Sequence, residues 1–355
     1  MSNAEETGIE AARAAYYDKI GAHDMAPLWE VLHKLVTPEP TTRCVPHLWR
    51  WADVRPYILE AGDLISAEVA ERRVLILENP SFKGLAQATD TLYAGLQLIL
   101  PGEVARAHRH TSAALRFIVE GEGAYTAVDG EKTYMSPGDF IITPSWDWHD
   151  HGHEGAEPVV WLDGLDLPAI HFYAAGFAEA YPDERYPSNA PPGTTRARYG
   201  ANMKPVGDTT AGATSPIFSY PYAESRAALA RLAELEDFDP CHGVKMEYIN
   251  PTTGGPAMAT ISTFLQFLPK GFKSVSYRST DHAVYSVVEG HGRVTVGPVT
   301  SAGGDTKIME WGPKDHFAIP GWAPHVFEAQ EDAVLFNFSD RVMQQKLDLW
   351  REQRG

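Results

Sequence analysis

The sequence predicts a mainly β protein in which two jelly-roll β-barrels follow an N-terminal helical arm. Short segments that alternate apolar and polar residues, separated by Gly and Pro, begin near Arg72 and are typical of antiparallel sheets. The same pattern returns in the second half of the chain, which indicates an internal duplication. A chain of 355 residues is long enough for two such domains.

The predicted arm covers residues 1–70. Its segments "GIEAARAAYYDKIG" and "APLWEVLHKL" place apolar residues at helical spacing. Pro27 suits the first turn of the second of these helices, because proline lacks the N–H that the first turn leaves unpaired. We therefore expect this part of the chain to be helical.

The first barrel is predicted over residues 71–179. Its strands are expected in "RRVLILENP", "LYAGLQLILPGE", "LRFIVEGEGAYTAVDGEKTYMSPGDFIITP" and "VVWLDGLDLP". Residues 180–240 begin with a stretch rich in Pro, Gly, Ser and Thr and end with the helical pattern "ESRAALARLAELED". This region is predicted to be a linker with a short helix.

The second barrel is predicted over residues 241–340, followed by a C-terminal helix over 341–355. The segment "GFKSVSYRSTDHAVYSVVEGHGRVTVGP" aligns with "GEVARAHRHTSAALRFIVEGEGAYTAVDG". Farther along, "DHFAIPGWAPHVF" aligns with "DFIITPSWDWHDH". These two matches, in the same order in both halves, are the basis for the predicted duplication.

Composition excludes several classes of partner. The net charge of −17 would repel nucleic-acid phosphates, and no apolar run is long enough to cross a bilayer, so neither nucleic acid nor membrane is expected. The acidic, alanine-rich N-terminus does not resemble an export signal, which favours the cytoplasm. Cys44 and Cys241 have no metal-binding spacing, so any metal must be held by His, Asp or Glu.

Three histidines in the first barrel are candidate metal ligands. His108 and His110 stand two apart on a predicted strand, so both side chains point to the same face. His149, from the second aligned segment, would complete a set of three imidazoles. In the second barrel these ligand positions hold Tyr277, Ser279 and His325, so we expect only the first barrel to bind metal.

These motifs resemble those of the cupin superfamily. The first cupin motif has a Gly, an HxH pair, a Glu and a closing Gly; here the matching residues are Gly102, His108, His110 and Gly121, and Ala114 stands at the Glu position. The second motif is matched by Gly138, Pro144 and His149, whereas Trp146 and His153 replace its second Gly and its Asn. The resemblance implies a cupin fold for both barrels.

More narrowly, the chain resembles the bicupin gentisate 1,2-dioxygenases and the related salicylate and 1-hydroxy-2-naphthoate dioxygenases. The stretches that carry this resemblance are "AHRHTSAALRFIVEGEGAYTAVDG", "PSWDWHDHGHEG" and "WLDGLDLP". The resemblance implies an enzyme of aromatic catabolism with one Fe(II) per chain, which cleaves gentisate with O2 to give maleylpyruvate. It also implies a small aromatic 2-hydroxy acid as substrate and a homotetramer.

The missing glutamate has a chemical interpretation. Three neutral imidazoles leave the full charge of a divalent ion available, so an anionic substrate can chelate it through a carboxylate and a neighbouring hydroxyl. Arg116 follows Ala114 by two residues and is predicted to point inward with it. Its planar guanidinium suits a substrate carboxylate.

Further candidates come from neighbouring strands. Tyr93, Gly95 and Gln97 share one face of a predicted strand, and the resemblance places that face at the substrate ring. One of the adjacent arginines Arg72 and Arg73 should also face inward; the resemblance favours Arg72, but alternation alone does not separate them.

Two residues match positions at which the family keeps groups that hydrogen-bond or deprotonate the substrate hydroxyl. They are His151 and Asp163. Two other functions stay open at this stage: ring cleavage of salicylate or 1-hydroxy-2-naphthoate, and a non-catalytic cupin that binds metal for sensing or storage.

Overall fold

A computed structural model describes residues 3–298 and 305–355. It divides into a unit that extends to Thr41 and a unit from Thr42 to Gly355. The first unit contains helices α1 (Asn3–Gly21) and α2 (Leu28–Leu35). Within it, Tyr17 donates a hydrogen bond to Glu30 and accepts one of 2.8 Å from Trp29. None of the side chains of α2 is buried, although the helix is largely apolar.

The described residues of the second unit form the barrels and six α-helices. The helices are α3 (Trp51–Leu64), α4 (Ala67–Ala70), α5 (Leu167–Phe172), α6 (Thr194–Tyr199), α7 (Tyr222–Leu235) and α8 (Arg341–Lys346), with a 3₁₀ turn at Pro80–Phe82. The strands in the first part of the chain are β1 (His47–Trp49), β2 (Arg73–Ile76), β3 (Tyr93–Ile99), β4 (Val104–His110), β5 (Ala114–Glu120), β6 (Ala124–Val128), β7 (Glu131–Tyr134), β8 (Phe140–Thr143), β9 (His149–His153), β10 (Val159–Leu165) and β11 (Ala178–Ala180). Those that follow are β12 (Ser219–Tyr220), β13 (Val244–Glu247), β14 (Ser262–Leu268), β15 (Tyr277–Ser279), β16 (Ala283–Glu289), β17 (Gly292–Val296), β18 (Lys307–Trp311), β19 (His316–Ile319), β20 (His325–Ala329), β21 (Ala333–Ser339) and β22 (Glu352–Arg354).

Each barrel is built from a 6-stranded and a 5-stranded antiparallel sheet. In the N-terminal barrel the strand orders are β12-β8-β5-β10-β3-β2 and β11-β4-β9-β6-β7. In the C-terminal barrel they are β1-β19-β16-β21-β14-β13 and β18-β17-β20-β15-β22. The second pair of sheets repeats the order of the first along the duplicated segments, which confirms the predicted mainly β fold with two jelly rolls.

The edges of the sheets differ from the sequence prediction. Strand β1 lies within the stretch predicted as a helical arm, and it pairs with β19 of the C-terminal barrel. Strand β12 lies within the predicted linker and pairs with β8. The predicted C-terminal helix over 341–355 is wrong beyond α8, because β22 pairs with β15. Two or three residues are too few to show alternation, yet each of these strands covers the unpaired backbone groups of a sheet edge.

One apolar cluster spans the two barrels. Phe117 of β5 and Phe336 of β21 stack with their ring centroids 4.1 Å apart and their planes inclined by 7°. Two side-chain hydrogen bonds reinforce this junction, each from a threonine of one barrel to an aspartate of the other. They join Thr91 to Asp340 at 2.9 Å and Thr260 to Asp166 at 2.6 Å.

The cupin turns impose special backbone conformations. Gly121 has φ +88°, and a Cβ at this position would lie 2.2 Å from the carbonyl oxygen of Pro158, so only glycine fits. Trp146 adopts φ +69° where the cupin motif has its second glycine, and Trp322 of the C-terminal barrel adopts φ +63° at the aligned position. The guanidinium of Arg109 lies 4.5 Å from the Trp146 ring centroid and stabilises this unusual turn.

The helices within residues 3–298 and 305–355 include none with both the length and the apolar character that crossing a bilayer requires.

Candidate metal centre

His108, His110 and His149 converge at one end of the N-terminal barrel. His108 and His110 lie at the end of β4, and His149 begins the neighbouring strand β9, where it pairs directly with His108. One potential ligand atom from each imidazole lies within 4.8 Å of the other two. The alternation of the strand therefore brings together the three residues that the sequence singled out.

The hydrogen bonds of the three rings leave one nitrogen of each free for a metal. Nδ1 lies close to the carbonyl oxygen two residues away along the chain in every case: 3.3 Å from Arg106 for His108, 2.8 Å from Ser112 for His110, and 3.0 Å from Asp147 for His149. His110 and His149, which donate from Nδ1, keep a lone pair on Nε2, whereas Nδ1 of His108 is also contacted by Nη2 of Arg72, which can only donate. Nε2 of His149 is buried and has no partner, which fits a bound cation at this place.

The surroundings favour neutral imidazoles. Burial, reinforced by the charges of Arg72 and Arg116, lowers the pKa of His108 to about 2. Burial likewise lowers the pKa of His110 to about 4 and that of His149 well below its usual value. Neutral imidazole is the form that binds metal, so the site is ready to accept a cation at neutral pH.

A pocket of about 460 Å³ opens beside the histidines. Its polar lining includes most of the residues predicted to contact substrate, namely Arg72, Tyr93, Gln97, Arg116 and Asp163. Ala114, which stands at the glutamate position of the cupin motif, also lines the pocket and leaves the space of that side chain open. The volume suits a ligand with a single aromatic ring.

Arg116 is buried in the pocket wall, with 4% of its surface exposed. Its Nη1 donates a hydrogen bond to Oγ1 of Thr143, and its Nε lies 3.5 Å from Oδ1 of Asp163. No described residue accepts a hydrogen bond from Nη2, so this nitrogen remains available to a ligand. Burial lowers the pKa of Arg116 to about 10, which leaves the guanidinium charged at neutral pH.

The structure separates the two adjacent arginines. Arg72 lines the pocket, and its Nη2 contacts Nδ1 of His108 and the carbonyl oxygen of Arg106. Arg73 faces away and forms two hydrogen bonds, of 3.0 and 2.7 Å, with the carboxylate of Glu103. Arg72 is therefore the inward residue, as the resemblance favoured.

Tyr93 and Gln97 line the pocket, and Gly95 lies between them on β3. A Cβ at Gly95 would lie 2.6 Å from the Tyr93 hydroxyl and 2.7 Å from Cγ1 of Val74. Any larger residue would displace one of these side chains. Gly95 therefore lets the Tyr93 hydroxyl approach the strand backbone closely.

The two remaining candidates occupy different positions. Asp163 lines the pocket and accepts a 3.0 Å hydrogen bond from Nε1 of Trp161, and burial raises its pKa to about 6. His151 lies behind His149, with ring centroids 5.9 Å apart, and does not belong to the pocket wall. Its Nδ1 lies 2.9 Å from Oγ1 of Thr126, whereas its Nε2 is buried without a partner.

Several pocket residues had no counterpart in the sequence prediction. Thr143, on the strand next to β5, holds Arg116 in place. The end of β10 and the segment that follows it supply the outer wall through Leu165, Leu167, His171, Gly176, Phe177 and Ala178. This segment contains the aromatic sequence "HFYAAGF", between β10 and the predicted linker. Its aromatic residues were the one sequence feature that could have indicated a pocket wall here.

Comparison with known proteins agrees with this architecture. The cupin domain family matches residues 95–165, which contain the histidine motif, most of pocket strand β3, and strands β5 and β10. Together, the paired barrels and the three-histidine site define a two-barrel cupin protein with a metal centre in its N-terminal barrel.

The relatives define the family. Gentisate 1,2 dioxygenase 1 of Aquipseudomonas alcaligenes is 52% identical over 355 residues, which are 100% of both chains. The 5-aminosalicylate 1,2-dioxygenase of a Comamonas species is 34% identical and matches 96% of this chain and 89% of its own. A salicylate 1,2-dioxygenase of Pseudoaminobacter salicylatoxidans, solved as an adduct with gentisate, superposes with a TM-score of 0.89 at 30% identity, covering 97% of this chain and 94% of its own. The chain belongs to the bicupin gentisate 1,2-dioxygenase family.

Proposed function

We propose that this chain is an Fe(II)-dependent gentisate 1,2-dioxygenase that converts gentisate and O2 to maleylpyruvate. The observation that carries this proposal is the set of three imidazoles without a carboxylate, beside a buried guanidinium with a free Nη2. Such a site is short of negative charge, so it favours an anionic ligand. The relative with 52% identity is named for the same reaction.

The histidines of the pocket would bind the metal, and its arginines would bind the substrate carboxylate. His108, His110 and His149 would hold the iron, which supplies the redox chemistry that joins O2 to the ring. Nη2 of Arg116 is free to donate to the substrate carboxylate, and Arg72 adds a second positive charge on the same side. Both interactions would orient the ring so that the carboxyl-bearing carbon and its hydroxylated neighbour lie toward the metal.

Asp163 is the group best placed to accept the proton of the substrate hydroxyl. It lines the pocket, and its raised pKa of about 6 is close to the range in which a general base works at neutral pH. His151 would support the site from behind His149. Tyr93 and Gln97 would contact the flat face or edge of the ring, and Gly95 would act indirectly, by letting the Tyr93 hydroxyl lie against the strand.

The decisive experiment is oxygen consumption by protein loaded with Fe(II) under anaerobic conditions. Gentisate should be consumed together with one equivalent of O2, and both oxygen atoms should appear in a ring-opened product. Salicylate and 1-hydroxy-2-naphthoate, tested at equal concentrations, decide between the related activities. Tight binding of gentisate without oxygen consumption would instead support a sensor or storage protein.

The native metal is tested by reconstitution with Fe(II), Mn(II) and Zn(II) in parallel, because imidazole ligands suit all three ions. Only iron should restore full activity. Metal analysis of protein purified without added metal provides the matching measurement.

We also propose that the enzyme is a cytoplasmic homotetramer. The apolar side chains of α2 that remain exposed in the first unit support association, because they form an uncovered apolar stripe. These residues are Leu28, Trp29, Val31, Leu32 and Leu35. Light scattering coupled to gel filtration should give four times the chain mass of 39.1 kDa, and cell fractionation tests the compartment.

A further inference from the structure

The C-terminal barrel contains a small cavity at the place that the substrate pocket occupies in the N-terminal barrel. The strand register establishes the correspondence, because three pairs of facing residues in one barrel match three pairs in the other. In the N-terminal barrel the pairs are Val74 with Gln97, Gly95 with Asp163, and Asp163 with Arg116. In the C-terminal barrel they are Lys245 with Gln266, Phe264 with Asn337, and Asn337 with Tyr285.

Lys245 brings into this cavity a positive charge that has no ion-pair partner among the described residues. It is half-buried, its Nζ lies 4.5 Å from the ring centroid of Phe264, and it forms no ion pair with any residue in the described ranges. The nearby carboxylate of Asp281 is already engaged by Trp350 at 2.8 Å and by Arg341 at 3.4 Å. Burial, followed by the charge of Arg341, outweighs the attraction of Asp281 and Glu247 and lowers the pKa of Lys245 to about 7.

Asn337 supplies a hydrogen-bonding group with no partner. It lines the cavity, only 1% of its surface is exposed, and neither Oδ1 nor Nδ2 has a hydrogen bond. A buried amide that loses its hydrogen bonds to water destabilises the folded state unless another group replaces them. The aligned residue in the N-terminal barrel is Asp163, so the exchange to Asn removes a negative charge from this position.

The size of the cavity limits its occupant. The centre of a water-sized molecule can occupy about 20 Å³, whereas about 10–15 Å³ suffices for one water. An aromatic acid is therefore too large, and an ion of a few atoms fits. Lys245, Arg341 and Asp281 face the space, and when Lys245 is protonated their net charge is positive, which favours an anion over a metal cation.

We propose that the C-terminal barrel binds one small monovalent anion, of the size of chloride or formate, between the ammonium of Lys245 and the amide of Asn337. The anion neutralises Lys245 and accepts a hydrogen bond from Nδ2 of Asn337. The duplicated barrel has thus exchanged a metal site for an anion site. This inference does not depend on the activity proposed for the N-terminal barrel.

Anomalous diffraction with bromide as the probe locates the ion directly. Crystals of the iron-loaded protein are soaked in sodium bromide, and a peak is expected in the cavity beside Lys245 and Asn337. Crystals of the Lys245→Met variant, treated in the same way, should show no peak there. Water alone in the cavity of the parent protein, or a peak that persists in the variant, would overturn the proposal.

Calorimetric titration with sodium formate, at an ionic strength held constant with sodium gluconate, gives the affinity in solution. Lys245→Met should weaken binding at least tenfold, whereas Lys273→Met, an exposed lysine of the same barrel, should have no effect. Formate bound at the metal centre would remain in both variants, so their difference isolates the C-terminal cavity. Asn337→Leu keeps Lys245 and should also weaken formate binding. If Lys245→Met does not fold, this second variant tests whether the cavity binds the anion. Equal affinity of the parent and a folded cavity variant would refute the site.

Discussion

Arg116 and Asp163 face each other across β5 and β10, with Nε of the arginine 3.5 Å from Oδ1 of the aspartate. Both side chains are buried, so each one stabilises the charge of the other in the pocket wall. Asp163 lies along one edge of the guanidinium and Thr143 accepts a hydrogen bond from Nη1, so Nη2 is the nitrogen without a contact among the described residues. A guanidinium nitrogen that is already fixed in direction is well suited to orient a carboxylate.

Arg116→Ala should lower kcat/KM for gentisate about ten- to a hundredfold or more, because a hydrogen bond to a charged group contributes roughly 1.5–3 kcal/mol. Iron content should be nearly unchanged. Arg116→Lys should recover only part of the loss, since an ammonium cannot contact Asp163, Thr143 and a carboxylate in the same plane. Steady-state kinetics and iron analysis of the same preparations provide the measurement.

The control for Arg116 is a hydroquinone without the carboxylate. It should be a poor substrate for the parent and should lose little further on mutation. Loss of iron together with activity would mean that Arg116 is structural, and Arg72 would then be the next candidate for the carboxylate.

Single replacements of His108, His110 and His149 by Ala should each remove most of the bound iron and the activity. Two imidazoles are too few to retain a labile divalent ion. The His151→Ala variant is the matched control, because this ring is buried next to His149 but lies outside the ligand set, so its iron content should remain high. Full iron occupancy in all three ligand variants would contradict the assignment.

The protein should bind about one metal per chain and not two. In the C-terminal barrel Tyr277 and Ser279 occupy the positions of the first two ligands, and Nδ1 of His325 contacts the carbonyl oxygen of Ala323 at 3.0 Å. One imidazole alone holds a divalent ion poorly. Metal analysis after reconstitution and desalting tests the stoichiometry, and two equivalents per chain would disprove it.

His282 should make stability depend on pH. Burial lowers its pKa, but Asp340 and Asp90 outweigh burial and raise the pKa to about 10; Asp90 lies 3.0 Å from Nε2. Because the folded state holds this proton more tightly than the unfolded chain, the stabilisation is fully present below about pH 6.5 and is lost as the pH rises toward 10. Replacing the histidine removes this stabilisation.

The measurement is the free energy of unfolding of the parent and of His282→Gln at pH 6, 8 and 10. The variant should be less stable by about 3 kcal/mol at pH 6, the usual cost of breaking a buried ion pair, and the difference should shrink as the pH rises. His291→Gln, at an exposed position, controls for the removal of a histidine. A difference that grows with pH would show that His282 is neutral in the folded protein.

The parts of the site that could be predicted from sequence are those that depend on strand alternation. His108 and His110 share a face because they are two apart, and Arg116 follows Ala114 into the pocket for the same reason. Alternation gives no information on which of two adjacent arginines points inward, since that depends on where β2 begins. Contacts between strands, such as that of Thr143 with Arg116, depend on register and were not predictable from one sequence.

The fold shows the same division. Long strands with several alternations were predicted, whereas β1, β12 and β22 were not, because two or three residues carry no periodic signal. For that reason the segments predicted as arm and linker gave no sign that β1 and β12 pair with the barrels. Their positions are decided by the sheet edges that they cover, which only the folded chain presents.

The stacked rings of Phe117 and Phe336, and the reciprocal threonine–aspartate bonds, couple the two barrels, so we expect both to melt in one transition. Genetic variation in the two barrels should therefore have different signatures in the cell. A substitution of His149 itself should lower turnover with little change in the amount of enzyme. A damaging substitution beneath Phe336 lowers the abundance of the whole enzyme, and growth at a lower temperature should restore it.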